Sequence, residues 1–148
     1  MTNPTPTLPS TIRVLNSLLQ GERSAVTTYE RARHHLEGEY GTELEANRTC
    51  HAKRVEVLTR RIQELGGVPT VHGGSWVGLT NAIEQMASIM GHSTVISALE
   101  QGEDIGLDDY KESLMKVDAI SKEMILRDLL PAQERTHWRM SGIKQMAR

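Results

Sequence analysis

Gln-Gly-Glu at residues 20–22 is followed by Tyr29, and the same residue types return at 101–103 and Tyr110, with seven residues from glutamate to tyrosine in both copies. Apolar residues around each copy are spaced by three and four, which is typical of an amphipathic helix. Each glutamate therefore falls on an apolar helix face. A carboxylate there loses its hydration, which costs several kcal/mol unless a proton, a partner charge or a metal neutralises it. The repeat thus indicates two related helices that share a buried acidic site.

Length and composition predict one domain, with a flexible N-terminal arm over residues 1–10 and a helical domain over residues 11–148. The formal net charge is −2 and both signs are mixed along the chain, so no basic face predicts nucleic-acid binding or a DNA-protecting bundle. No apolar run reaches the roughly 20 residues of a membrane span, and no secretion signal is recognisable. With its single cysteine, Cys50, the chain is expected to be cytoplasmic.

Capping residues and helix breakers predict four long helices. They cover about residues 11–36, 42–65, 94–117 and 119–146, and Pro131 interrupts the last. A shorter helix from about Trp76 to Met90 is expected in the connection between helices two and three. Short links within each pair and a long link between the pairs predict an all-α four-helix bundle with one crossover connection.

Two of the long helices carry further polar residues on predicted inner faces. The seam of helix two, with steps of three and four, consists of Leu44, Arg48, His51, Val55, Leu58, Ile62 and Leu65. On helix four, Glu134 and His137 are three residues apart, so their side chains project from one face. In a bundle core this Glu-x-x-His spacing gives one metal ion a carboxylate and an imidazole from a single helix. The residues expected to converge on one buried point are Glu22, His51, Glu103, Glu134 and His137.

With these residues the chain resembles the ferritin-like superfamily of carboxylate di-iron four-helix bundles. The pattern there is a glutamate on helices one and three and Glu-x-x-His on helices two and four. A narrower resemblance, carried by residues 21–26, 64–67 and 129–137, is to a bacterial ferritin-like family of unknown function. The resemblance implies a ferritin-like bundle that binds iron through the five residues above and oxidises it with oxygen or peroxide. It also implies that Tyr29 and Tyr110 form hydrogen bonds near the metal.

The sequence departs from this pattern at Arg48, which stands where helix two would carry its glutamate. A guanidinium cannot ligate a metal. One alternative is a mononuclear iron site made by the helix-four pair with Glu22 or Glu103. Another is an altered two-metal site completed by a residue such as Asn47. The third is a metal-free core in which Arg48 neutralises the buried carboxylates.

Two functions follow from these alternatives. The first is an iron-binding protein that reduces oxygen or peroxide while it oxidises iron. The second is a non-enzymatic helical module, structural or stress-associated, with a buried charge network around Arg48. Either module is expected to form a homo-oligomer such as a dimer.

Overall fold

All the secondary structure is helical in the residues that the computed structural model describes, which are 4–36, 38–73, 78, 80, 81, 83–85 and 91–147. The helices are α1 (Leu8–His35), α2 (Gly41–Glu64), α3 (His92–Ser113), α4 (Ala119–Met124) and α5 (Leu130–Met146). A π-helical segment, Ile125–Leu129, joins α4 to α5. No helix in these ranges has both the length and the apolar character needed to cross a membrane. The all-α prediction is confirmed.

Helix α1 begins three residues earlier than the predicted start at Thr11. Its N-cap is Thr7, whose Oγ1 accepts a hydrogen bond from the Ser10 N–H at 3.2 Å, while Oγ of Ser10 accepts one from the Thr7 N–H at 2.9 Å. This reciprocal pair satisfies donors that the first turn leaves without partners. Pro9 is tolerated there because the N–H that it lacks would have no intrahelical acceptor. Residues 8–10 of the predicted arm are therefore helical.

The predicted C-terminal end of α2 and the predicted N-terminal start of α4 are confirmed. Beyond α2, Gly66 has a positive φ of 81°, and the Gly67 N–H donates to the carbonyl of Ile62 at 2.9 Å, so the glycines end the helix. Asp118 caps α4, because its Oδ1 accepts from the Ser121 N–H at 2.8 Å. Helix α3 ends at Ser113, before the predicted Val117.

The predicted connecting helix from Trp76 to Met90 falls mostly outside the described residues. Those that the structure describes within it, residues 78, 80, 81 and 83–85, are all helical.

The last helix is interrupted by a π segment that ends two residues before Pro131, where the sequence predicts an interruption. In this segment the Leu130 N–H donates to the carbonyl of Ile125, five residues back. Four of the buried residues here are spaced by four: Ser121, Ile125, Leu129 and Gln133. Three steps of four would turn a regular α-helix by about 120° away from its first face. The wider π turn keeps these side chains directed into the core.

The helices pack in a cyclic order, α1 beside α2, α2 beside α5, α5 beside α3 and α3 beside α1, which makes a helical bundle. Two apolar clusters lie along it. One includes Tyr29, Leu36, Leu44, Val95, Leu99 and Met140, and the other includes Leu15, Leu19, Leu58, Ile62, Tyr110 and Leu129. Chain order through the clusters shows that α1 and α5 run in one direction and α2 and α3 in the other.

Between the two clusters lies a set of buried polar side chains, which we call the polar layer. It consists of Glu22, Asn47, His51, Arg54, Glu103, Gln133 and Thr136. All four sides of the bundle contribute to it, so it fills the cross-section midway along the helices.

Candidate functional site

His51 of α2 lies between the two glutamates of the sequence repeat. Its Nδ1 is 2.6 Å from Oε2 of Glu22, and its Nε2 is 2.7 Å from Oε1 of Glu103. All three side chains are at most 4% exposed. An ionised carboxylate only accepts hydrogen bonds, so these two contacts favour a proton on each ring nitrogen, against the effect of Nη2 of Arg54, a donor that lies 2.9 Å from Nδ1. The ring links α1, α2 and α3, and the two carboxylates favour its imidazolium form.

Arg54, one turn after His51 on α2, brings a second positive charge into the polar layer although it is only 2% exposed. Its Nη1 lies 3.4 Å from Oε1 of Glu22 and donates to Oε1 of Gln133. Its Nη2 donates to Oγ1 of Thr136 at 3.1 Å. Two cationic side chains therefore face two carboxylates, and the formal charge of the polar layer is zero. This balance is what makes burial of four charged groups tolerable.

The two tyrosines of the repeat cross over between its copies. The hydroxyl of Tyr29 donates to Oε1 of Glu103 at 2.6 Å, and the hydroxyl of Tyr110 donates to Oε1 of Glu22 at 2.7 Å. Burial first, and the neighbouring carboxylate second, raises the pKa of both phenols well above 10.0, so both stay protonated donors. The repeat in the sequence is thus an approximate twofold arrangement of α1 and α3.

Helix α5 contributes uncharged groups to the polar layer. Gln133 Nε2 donates to Oε2 of Glu103 at 2.8 Å and to its carbonyl at 2.9 Å, and Oγ1 of Thr136 donates to the same Oε2 at 2.7 Å. Together with the contacts above, every carboxylate oxygen of Glu22 and Glu103 accepts a hydrogen bond. These carboxylates are fully engaged by the protein itself.

The electrostatics keep the carboxylates ionised. Burial, the largest single effect, raises the pKa of Glu22 and of Glu103, but the positive charges of Arg54 and His51 and the hydrogen bonds outweigh it, so both values are lowered. For His51, burial and then Arg54 lower the pKa, and the two carboxylates reverse this to a net rise. The fold therefore favours the charged form of all three groups.

Because of this site, the free energy of unfolding should decrease both at low pH and at high pH. Because the His51 pKa is raised in the fold, its contribution is complete below the ordinary value of 6.5 and is lost as pH rises through the folded pKa. The glutamates have lowered pKa values, so their contribution is complete above 4.5 and is lost as pH falls through the folded values. The polar layer is expected to stabilise most between pH 4.5 and 6.5.

Denaturant unfolding of the wild type and of His51→Gln, from pH 4.5 into the alkaline range, measures the effect of His51. The difference in the free energy of unfolding should shrink as pH rises above 6.5, the ordinary pKa of histidine. A difference that stays constant into the alkaline range would show that His51 is not protonated in the fold.

Three of the five predicted metal ligands, Glu22, His51 and Glu103, do come together. The pair on the last helix does not join them, because Glu134 is exposed and Nε2 of His137 lies 2.6 Å from Oδ1 of Asp104 near the surface. The prediction that both face the core is wrong. Among the described residues, no group of three or more His, Cys, Asp or Glu side chains is arranged to hold a metal ion.

The inward positions of α5 belong to Gln133 and Thr136, each one residue before a predicted ligand. One residue corresponds to a rotation of about 100° around the helix. The sequence did contain a signal for this face, because apolar residues continue it at steps of three and four. These residues are Leu129, Met140 and Ile143.

Helix α2 differs from its predicted seam in the same way. Arg48 lies at the edge of the bundle, where its Nη2 donates to Oε1 of Glu45 at 2.6 Å, so its predicted role as the buried counter-ion is wrong. Arg54, which no pattern in the sequence singles out, has that role. Asn47 is in the polar layer, but its Nδ2 donates to the Tyr29 hydroxyl at 2.9 Å and its Oδ1 accepts from Arg139 at 2.5 Å.

Gly106 of α3 has no side chain, and the Gln133 amide occupies the space that a Cβ would fill. A Cβ on Gly106 would lie 2.7 Å from Nε2 of Gln133, closer than real contacts allow. Gly106→Ala should displace this amide from Glu103 and lower the free energy of unfolding by about 1–3 kcal/mol. Gly142→Ala is the matched control, because a Cβ there meets no atom within 4 Å and alanine favours the helix. Equal unfolding midpoints for the two variants would contradict the packing described.

A comparison with protein-family models matches most of the chain. Residues 10–116 match the family model described as Domain of unknown function (DUF2383). The matched span is well over half of the chain and includes the sequence repeat and both cationic side chains of the polar layer. Searches of curated proteins and of solved structures found no match. The chain therefore belongs to the DUF2383 family, a domain family of unknown function.

Proposed function

We propose that this chain is a ferritin-like four-helix bundle with a metal-free polar core and that it acts as a non-enzymatic helical module. The helix directions support the fold. Helices α2 and α3 run the same way, so the chain between them must return along the bundle, as in a bundle with one crossover. The crossed Tyr–Glu pairs of the repeat support two related helical hairpins.

Iron is the cofactor that the resemblance implies, and the residues of the polar layer do not fit it. A ferrous ion needs carboxylate oxygens with free lone pairs and a site of negative charge. Here each carboxylate oxygen of Glu22 and Glu103 accepts a hydrogen bond from a protein donor. The guanidinium of Arg54 lies 3.4 Å from Oε1 of Glu22, and together with His51 it already neutralises the site. This engagement of both carboxylates is the single observation that carries the proposal.

A charged layer of this kind has a structural role of its own. Apolar residues of similar volume are often as stabilising as a buried ion pair, so stability alone does not account for it. The layer pairs specific partners across the bundle, with His51 between α1 and α3 and Arg54 reaching α5. A shifted helix would bury unpaired charges at a high free-energy cost. We infer that the polar layer fixes the register of the helices.

Iron binding with oxygen- or peroxide-dependent oxidation is the second candidate. It is favoured by the convergence of Glu22, His51 and Glu103, three of the ligands expected from the resemblance. It would require Arg54 to leave the polar layer and both carboxylates to exchange their donors for metal.

Anaerobic loading of the purified chain with Fe(II), followed by desalting and elemental analysis, decides between the two. The metal-free proposal predicts far less than one iron per chain. About one or two irons per chain would favour the second candidate. Homo-dimerisation and a cytoplasmic location stay predictions from the sequence.

A further inference from the structure

Two pairs of side chains at i and i+3 face each other across the polar layer. On α2 the pair is His51 and Arg54, and on α5 it is Gln133 and Thr136. Nη1 of Arg54 donates to Oε1 of Gln133, and its Nη2 donates to Thr136 at 3.1 Å. The guanidinium therefore bridges the two helices that do not carry the repeat, and it does so beside the carboxylates of the helices that do.

The position of Arg54 is that of an internal cation. Its guanidinium is 2% exposed and touches oxygens of Glu22, Gln133 and Thr136 as well as Nδ1 of His51, 2.9 Å away. Its Nε has no hydrogen-bond partner among the described residues, so the group is held by its charge and its terminal nitrogens. Two carboxylates and one imidazole would remain around the vacated volume if the side chain were removed.

We propose that Arg54 is a built-in substitute for a bound divalent cation and that its removal turns the polar layer into a divalent-cation site. The inference rests on the proposed metal-free core. The charges support it. Loss of the guanidinium leaves the two buried carboxylates with one positive charge fewer beside them, in a volume that the Arg54 side chain has vacated. A divalent ion in that volume would restore the missing positive charge.

Space also supports the assignment. In the wild type, the His51 nitrogens are 2.6 and 2.7 Å from the carboxylate oxygens. A metal bonded to both partners at about 2.1 Å each needs these groups farther apart. The volume of the Arg54 side chain, which lies 3.4 Å from Glu22 and 2.9 Å from Nδ1 of His51, is the room into which these groups can separate. The wild type therefore excludes the ion by occupancy as well as by charge.

The test is Co(II) binding to Arg54→Ala, measured by elemental analysis after desalting and by visible absorption of the bound ion. We expect about one Co(II) per chain in the variant. Arg48→Ala, which removes an arginine from the surface of the same helix, is the matched control and should bind none. Adding Glu103→Gln to Arg54→Ala should abolish binding, because it removes one of the carboxylate ligands. Co(II) uptake that survives this second change would overturn the assignment.

Arg54→Ala is expected to be unstable without a ligand, so thermal unfolding supplies a second readout. Saturating Co(II) should raise its Tm by roughly 5–10 °C, and millimolar methylguanidinium, which replaces the missing group, should also raise it. The two ligands should compete. A folded Arg54→Ala that binds methylguanidinium but no Co(II) would overturn the proposal and leave the metal-free core intact. Co(II) or Fe(II) bound by the wild type would instead contradict the proposed function itself.

Discussion

Substitution of Arg54 by Met should lower the free energy of unfolding by about 3–5 kcal/mol, because it removes one partner from a buried set of balanced charges. Methionine keeps much of the side-chain volume, so the loss reports mainly on charge and hydrogen bonding. Glu22 would lose its contact with the guanidinium, and Oε1 of Gln133 would lose its donor. Denaturant unfolding near pH 6 measures the loss.

Arg48→Met is the matched control for this prediction. Arg48 makes its hydrogen bonds to Glu45 at the edge of the bundle, where ion pairs contribute up to about 1 kcal/mol. The two arginines are on the same helix, so the helix propensity changes equally in both variants. If Arg48→Met were the more destabilising of the two, the charge network described here would be wrong.

Substitution of Glu103 by Gln should destabilise the bundle by a similar amount, about 3–5 kcal/mol. Glu103 is fully buried and its carboxylate accepts from Tyr29, His51, Gln133 and Thr136. A glutamine offers one acceptor oxygen, and its amide group meets donors at the other position. The substitution also leaves two cations facing one carboxylate.

Glu134→Gln provides the comparison for Glu103→Gln. Glu134 belongs to the Glu-x-x-His pair that the sequence suggested as metal ligands, but its side chain is exposed. Its substitution should change the free energy of unfolding by no more than about 0.5 kcal/mol. Denaturant unfolding curves of Glu103→Gln and Glu134→Gln at the same pH measure both effects. A large loss for Glu134→Gln with none for Glu103→Gln would reverse the assignment of the inner face.

Much of the helical organisation could be predicted from the sequence, because it depends on local signals. Glycines after α2, the Asp118 cap and the apolar spacing fix where helices begin and end to within a few residues. The repeat around Glu22 and Glu103 identified the acidic centre, since two charged residues on equivalent apolar faces are unlikely to be solvated. Its tyrosines proved to be partners of these carboxylates in crossed pairs.

The remaining part of the site depends on helix rotation, which periodicity leaves open. On α2, steps of three and four from Leu44 pass equally well through Arg48 and Val55 or through Asn47 and Arg54. The fold takes the second path because it brings a cation to Glu22. In exchange, the apolar residue Val55 is left half-buried. Hydrophobic patterning alone would not predict this.

On the last helix, the Glu-x-x-His motif and the apolar pattern predict different inner faces. Leu129, Met140 and Ile143 mark the inner face, and Gln133 and Thr136 lie on it. Neutral residues suffice there because α2 already supplies both positive charges. The same rotation puts His137 against Asp104 at the surface.

The central claim is that Arg54 together with His51, and not a metal ion, neutralises the buried glutamates. A crystal structure of the wild type grown with Fe(II) under anaerobic conditions, with diffraction measured at the iron absorption edge, tests it most directly. We predict electron density for the Arg54 guanidinium beside Glu22 and Gln133 and no anomalous peak in the polar layer. An anomalous peak between Glu22 and Glu103, with the Arg54 side chain turned out of the layer, would contradict the account.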